Sequence, residues 1–419
     1  MKLPFWPSPK GYRDIKFGLS RVYELLARLD NPHLKLPPTI HIAGTNGKGS
    51  TLAFLRAIFI ETGLRVHAYI SPHLVNFNER INLAGTDISD EFLNEILREC
   101  QAAAEKNPAI PVTFFEGTTV AAFLAFSRVK ADILLLETGM GGRLDATNVL
   151  PEVLCSVITP ISFDHEEFLG NSLEKIAAEK AGIVKKNCPV VFGKQSEEVL
   201  RALESLLPLR MTGLISSQTK VYDLGMAGNH QQENASLAVA AVMAQKKFLV
   251  SEEQIQSGLK KAFWPARLQK ISLPDLPENF ELYLDGSHNM QGSETVTNFL
   301  KTKKDKRIFV IFSMLKDKNY TGFLQKISEE VDELITLTIP DEPKSCKASE
   351  LYEIAKQIGI KSQIAENFSD AFKKINHNEP ALILICGSLY LAGKFLEEFC
   401  CSEGWTNLVN PDPSLPKIL

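Results

Sequence analysis

The stretch HIAGTNGKGST, residues 41–51, constrains the fold more than any other part of the chain. A β-branched lead-in of Thr39, Ile40 and Ile42 gives way to three glycines, one lysine and three hydroxyls. Leu52, Phe54, Leu55, Ile58 and Phe59 then follow at helical intervals. The order strand, glycine turn, helix aims successive backbone N–H groups and the positive end of a helix dipole at one point. Gly44, Gly47 and Gly49 permit backbone angles that a Cβ would forbid. Lys48 offers a cation to phosphate oxygens, and Ser50 a hydroxyl to a magnesium ion. The strict spacing G-x-x-x-x-G-K-[ST] is not met, because Ile42 stands five residues before Gly47 and Gly49 follows Lys48. The motif therefore reads as a variant phosphate loop, against the plainer reading of a glycine-rich turn without a ligand.

The rest of the chain sets the frame for that loop. At 419 residues it has room for two or three domains. It is 44% hydrophobic and 23% charged, enough for sizeable cores. A net charge of −4 gives no global basic field for nucleic acid or an anionic membrane. The opening MKLPFWPSPKGYRD lacks the apolar core of a signal peptide, and runs such as ALILIC and DILLLE are too short to span a bilayer. Seven cysteines without a C-x-x-C pair read as reduced thiols of a cytoplasmic protein, Cys400-Cys401 being incidental.

Short apolar strands alternate with amphipathic helices, which predicts an α/β fold with a mostly parallel sheet covered on both faces. The strands are PTIHIAG, RVHAYI, ADILLLE and CSVITPI. Between them lie a helix near 50–62, a helix over DEFLNEILRECQAAAEK with Ser89 as its N-cap, and a buried helix around AAFLAF. Residues 268–281 are polar and carry two prolines, and a second α/β series follows, ending in ALILICGS. The expected border lies near 265–280, dividing 1–267 from 268–419, with a loose tail over NLVNPDPSLPKIL.

Further motifs carry chemistry. SPHLVNFNERI, 71–81, is rich in hydrogen-bonding groups, among them Ser71, His73 and Arg80, or else is simply a polar loop. VTFFEGTTVAAF, 112–123, joins an extended piece to a helix, and its paired phenylalanines read as core. In DILLLETGMGGRLDATN, Glu137 ends a wholly apolar strand, where α/β sheets bind ligands and where an acid can hold magnesium or cap a helix. A dinucleotide fingerprint there fails, because Leu144 stands where the third glycine is needed. In SFDHEEFLGNSLEKIAAEKAGIV, Asn171 and Glu174 form a plausible capping box. Lys180 then shares the apolar face with Leu173, Ile176, Ala177, Ala181 and Val184. A lysine so placed either snorkels or becomes a neutral amine, which can take up carbon dioxide as a carbamate. His165 reads as a capping or core histidine, and the amides of GNHQQENASLAVAA as helix caps or base readers.

Together these strings resemble the Mur ligase superfamily, and most closely its folate branch, the dihydrofolate synthase and folylpolyglutamate synthase family. WPARLQ, YLDGSHNM, SMLKDKN and CGSLYLAG match elements of its C-terminal domain, with Ala266 and Met290 as departures, and the resemblance runs from about Gly18 to Lys394. It implies a P-loop-type central domain and a smaller Rossmann-like α/β C-terminal domain that closes over the site. It implies ATP held by Gly44, Thr45, Asn46, Gly47, Lys48, Gly49 and Ser50, with Gln231 and Asn234 near adenine, Arg267 on phosphates and Asp285 on the ribose. It implies two magnesium sites drawn from Ser50, Glu137, His165 and a carbamylated Lys180, with a monovalent cation as a further candidate, and His288 facing the cleft. Ser71, His73, Arg80, Thr113, Phe115 and Asp145 would serve the pterin substrate. The implied activity is a ligase of a monomeric cytoplasmic type, joining L-glutamate to dihydropteroate, a reduced folate or both, with both expected, through an acyl phosphate. A cell-wall peptide ligase and a nucleotide-driven switch are the rival readings.

Overall fold

A computed structural model describes residues 4–8, 18–206, 214–216, 220–274, 276–375 and 379–400. The expected C-terminal tail and Cys401 lie outside the described residues. The chain divides into two compact units, Met1–Gly225 with Gln231–Phe263, and Met226–His230 with Trp264–Leu419.

The first unit is built on β1 (Thr39–Ala43), β2 (Val66–Tyr69), β3 (Ile81–Leu83), β4 (Thr86–Asp87), β5 (Ile133–Glu137), β6 (Cys155–Ile158), β7 (Val190–Phe192) and β8 (Leu214–Ser216). Among the described residues they form one eight-stranded sheet in the order β4-β3-β2-β5-β1-β6-β7-β8. Pairing is parallel from β2 to β8, and the β3–β4 hairpin adds an antiparallel edge. β1 and β5 are buried along their whole length, as apolar strands covered on both faces must be. Leu134 and Leu136 point to one face, into a core with Val22, Leu25 and Phe123. Ala43 and Ile158 join another, with Ile176, Ile183 and Val190.

The chain leaves β1 toward β2 and β5 on one side and returns to β6 on the other. The reversal makes the C-terminal ends of β5, β1 and β6 neighbours, a crevice where such sheets bind ligands. Ile42 of β1 is level with Glu137 of β5, and Ala43 with Ile158 of β6. No helix among the described residues is long and apolar enough to cross a membrane.

Two local expectations need correction. The helix Leu173–Ala181 is capped by Ser172, whose side chain accepts from Lys175 N, and not by an Asn171–Glu174 box. Asn and Ser are near-equal caps, so pattern alone could not place the first turn to one residue. The polar stretch after Arg267 is also not all connection, because Gln269–Ile271 is a strand.

The second unit has β9 (Gln269–Ile271), β10 (Phe280–Leu284), β11 (Arg307–Phe312), β12 (Glu333–Thr336), β13 (Ser362–Ile364) and β14 (Ala381–Cys386). Their order is β13-β12-β11-β14-β10-β9, parallel except for β9, which runs antiparallel to β10 at the edge. Val310, Phe312, Leu334, Leu382 and Leu384 share its core.

Candidate active site

The loop after β1 is held open by what its glycines lack. Gly44 has φ +148°, and a Cβ there would lie 1.8 Å from Thr159 Oγ1. Gly47 caps the helix Lys48–Glu61 in the left-handed region, φ +87°, and a Cβ there would lie 2.4 Å from Asn234 Oδ1. The helix therefore begins at Lys48, with Gly49 and Ser50 buried in its first turn. The neighbouring strand end braces the loop. Thr45 and Asn46 N–H groups donate to the Pro160 carbonyl at 3.0 and 3.4 Å, and Thr45 Oγ1 exchanges hydrogen bonds with Ser162 N and O.

Two lysines and a carboxylate meet at this loop. Lys48 Nζ donates to the carbonyls of Gly44 and Thr45, each at 3.2 Å, and stands 4.0 Å from Glu137 Oε1. Lys180 Nζ reaches the same Gly44 carbonyl at 2.8 Å. Lys180 is only 5% exposed, as its place on the apolar face requires. Burial, and next the charge of Lys48, bring its amine down to about 7. Glu137 is 4% exposed and also takes the Ser71 N–H at 3.3 Å. The sequence separates these groups widely, and the crevice gathers Gly44, Lys48, Ser71, Glu137 and Lys180.

The amides of the helix His230–Ala244 serve the same loop. Asn234 Nδ2 donates to Gln231 Oε1 at 2.9 Å, and Gln231 Nε2 to Ser50 Oγ at 3.4 Å. Both side chains are buried against the start of the Lys48 helix. His165 sits at the N-cap of Glu166–Leu169 with φ +52°, its Nε2 3.9 Å from Asp164 Oδ2. Among the described residues no group of three or more His, Cys, Asp and Glu side chains is gathered to hold a metal. The available donors at the loop are hard oxygens, Ser50 Oγ and the Glu137 carboxylate, and they suit a magnesium-type cation.

A second cluster adjoins Glu137. Asp145 Oδ2 accepts from Gly139 N and Met140 N at 3.0 and 2.9 Å, closing the glycine turn that follows β5. Burial raises its pKa against these bonds. Phe115 lies flat on that turn, where a Cβ on Gly139 would fall 2.3 Å from its ring. Thr113 caps the helix Phe114–Arg128 in a capping box with Glu116, which Arg21 clamps at 2.6 and 3.1 Å. His73 Nδ1 accepts from Arg80 Nε at 2.8 Å, and the guanidinium lies 5.5 Å from the Phe77 ring. Burial, and next the Arg80 charge, bring the His73 imidazole down to about 3.

In the second unit, Asp285 accepts from Leu268 N and Ser287 N, both at 2.8 Å, and so shapes the turn after β10. Arg267 donates to the Ala266 carbonyl at 2.9 Å, and His288 Nδ1 to that of Gly286 at 2.8 Å.

Sequence reasoning missed Thr159. Its buried Oγ1 has no hydrogen-bond partner and faces Gly44. The available signal was a hydroxyl at the end of the strand beside β1.

Comparison with known proteins shows the family. Residues 42–205 match the Mur ligase middle domain, and 269–398 match the dihydrofolate synthetase C-terminal domain. The dihydrofolate synthase/folylpolyglutamate synthase of Bacillus subtilis (strain 168) is 37% identical over 90% of this chain and 93% of its own length. The chain belongs to the dihydrofolate synthase/folylpolyglutamate synthase family. Solved structures of family members agree with its fold. Escherichia coli FolC in complex with DHPP and ADP superposes with TM-score 0.80 at 27% identity, covering 92% of this chain and 94% of that one. The bifunctional enzyme of Yersinia pestis complexed with AMPPNP and Mn ion gives 0.77 at 27%, covering 93% and 95%.

Proposed function

We propose that the chain is an ATP-dependent ligase that joins L-glutamate to dihydropteroate and to reduced folate, releasing ADP and phosphate. The observation that carries this reading is the meeting of Lys48 and Lys180 at the Gly44 carbonyl, with Glu137 beside Lys48, in a chain of this family. A carboxylate does not condense with an amine at neutral pH, because its leaving group is poor. Transfer of the ATP γ-phosphoryl to the acceptor carboxylate gives an acyl phosphate, from which the amine displaces phosphate.

The Gly44–Ser50 loop cradles the phosphates with its N–H groups, and Lys48 leaves its two carbonyls to neutralise the charge that is transferred. Ser50 and Glu137 would hold one magnesium ion, and His165 with Lys180 a second; bound there, such ions would supply positive charge against the phosphate oxygens. Lys180 suits its part because an amine lowered to about 7 is neutral in about half of the molecules near pH 7 and in more of them above it. A neutral amine adds to carbon dioxide with loss of one proton, giving a carbamate with metal-binding oxygens. Gln231 and Asn234 hold the loop and Ser50 in place beside the nucleotide, and the family resemblance alone assigns Arg267 and Asp285 to nucleotide binding and His288 to the reaction. Phe115, Asp145, Thr113, Ser71, His73 and Arg80 form the pterin site. A monovalent cation, a monomeric state and a cytoplasmic location belong to the same reading.

Purified protein supplied with ATP, radiolabelled glutamate and dihydropteroate, tetrahydrofolate or a UDP-muramoyl peptide tests this. Labelled amide product from both pterins is expected. Product from the muramoyl peptide alone would point to a cell-wall ligase, and phosphate release without labelled product to a nucleotide switch.

A further inference from the structure

The central strand of the first sheet buries a histidine where an aliphatic side chain would fit. His41 is fully buried in β1, level with Leu136 of β5 and Ser156 of β6. Its Nδ1 has no hydrogen-bond partner, an arrangement that costs stability and that leucine would avoid. Its Nε2 lies 2.9 Å from Thr147 Oγ1. Thr147 Oγ1 in turn lies 2.5 Å from Asp145 Oδ1, which also receives Thr147 N at 3.0 Å. A carboxylate only accepts, so the single hydroxyl proton of Thr147 goes to Asp145. The hydroxyl oxygen then accepts from the ring, which makes His41 the tautomer protonated at Nε2. Burial holds the ring neutral, down to about 3, so the donor persists across the working pH range. On its other oxygen Asp145 carries the amides of Gly139 and Met140, the turn on which Phe115 rests.

We propose that His41 is a positioning residue for the acceptor substrate: acting through Thr147, it fixes Asp145 and so the shape of the turn that meets a flat pterin. The inference rests on the assignment of Asp145 and Phe115 to the pterin site. His41 stands three residues before Gly44, so one strand position ties the nucleotide loop to the acceptor turn.

Three variants of the full chain test it. His41→Leu removes the donor, His41→Gln retains one, and Thr147→Val breaks the relay from the loop side, which covers the case that His41→Leu does not accumulate. Backbone amide exchange over 138–147 is read without substrate and so does not depend on the proposed reaction. His41→Leu or Thr147→Val is expected to speed exchange there by about tenfold, the scale of one lost buried hydrogen bond, with His41→Gln closer to the parent. Under turnover, KM for dihydropteroate is expected to rise by about tenfold while ADP affinity stays within about twofold. Unchanged exchange, or ADP affinity and dihydropteroate KM moving together, overturns the proposal. Faster exchange with no change in dihydropteroate KM confines His41 to holding the fold and also overturns it. A parent enzyme that forms no product from any pterin overturns the site assignment instead, and the exchange data still decide whether the relay holds the turn.

Discussion

Lys180 and Glu137 are costly residues to bury, and the cost has measurable consequences. The Lys180 amine lies at about 7 when folded against 10.5 ordinarily, so between those values the unfolded chain binds more protons. Stability from this group therefore rises with pH across that window, and its full penalty, about 5 kcal/mol at most, applies below pH 7. In carbon dioxide-free buffer, Lys180→Met is expected to unfold at a higher temperature than the parent, by more at pH 6 than at pH 9. An equal gap at both values would mean that the amine is not desolvated. Glu137→Gln keeps the shape of a side chain that is 4% exposed but removes the charge. We expect kcat to fall by about 100-fold or more while the melting temperature holds or rises, since a buried charge is lost from the fold. Amide synthesis and thermal scans of the same preparations check both halves. Lys180 could be read from the sequence because helical periodicity alone puts it on the apolar face. Thr159 could not, because its importance depends on which strand pairs with β1.

At the scale of elements, strands and helices were legible where one face is plainly apolar. The helix Asp90–Glu105, capped by Ser89, lies where periodicity and capping put it, and the strand Ile133–Glu137 where an unbroken apolar run put it. β9 escaped because an edge strand buries only alternate residues: Gln269 and Ile271 are in and Lys270 is out, within a segment broken by prolines. The links from Gln231 to Ser50 and from Asn234 to Gly47 span too much chain for any local pattern to reveal. Ser172 caps the helix that presents Lys180, so Ser172→Ala should cost about 1 kcal/mol and Asn171→Ala much less. Urea unfolding of the two variants separates them. Gly44→Ala forces a Cβ to within 1.8 Å of Thr159 Oγ1 and should weaken ADP binding by about tenfold or more, read by calorimetric titration. Adding Thr159→Ala should restore only part of that loss, because the Thr159 Cβ remains 2.8 Å away.

For the whole molecule, the alternation of strands and helices conveyed two α/β units, but strand order and the crevice it creates are properties of three-dimensional pairing. The phosphate loop, Glu137 and Lys180 all belong to the first unit. Ligand that binds the folded state stabilises what it touches, by about 2.7 kcal/mol at a hundredfold excess over Kd. Saturating ADP should therefore slow alkylation of the buried thiols Cys100, Cys155 and Cys188 more than that of Cys346 and Cys386, followed by mass spectrometry. Equal slowing would show that ADP protects both units alike.

The posture of Lys48, turned back onto the carbonyls of Gly44 and Thr45, gives the loop a threshold. An arriving anion would compete with those carbonyls for the donors of the cation. Orthophosphate shed after each catalytic cycle brings a single group to that contest, whereas a nucleotide tail brings a row of them. On the proposed function, a loop of this kind would hold a longer polyanion more tightly than spent product.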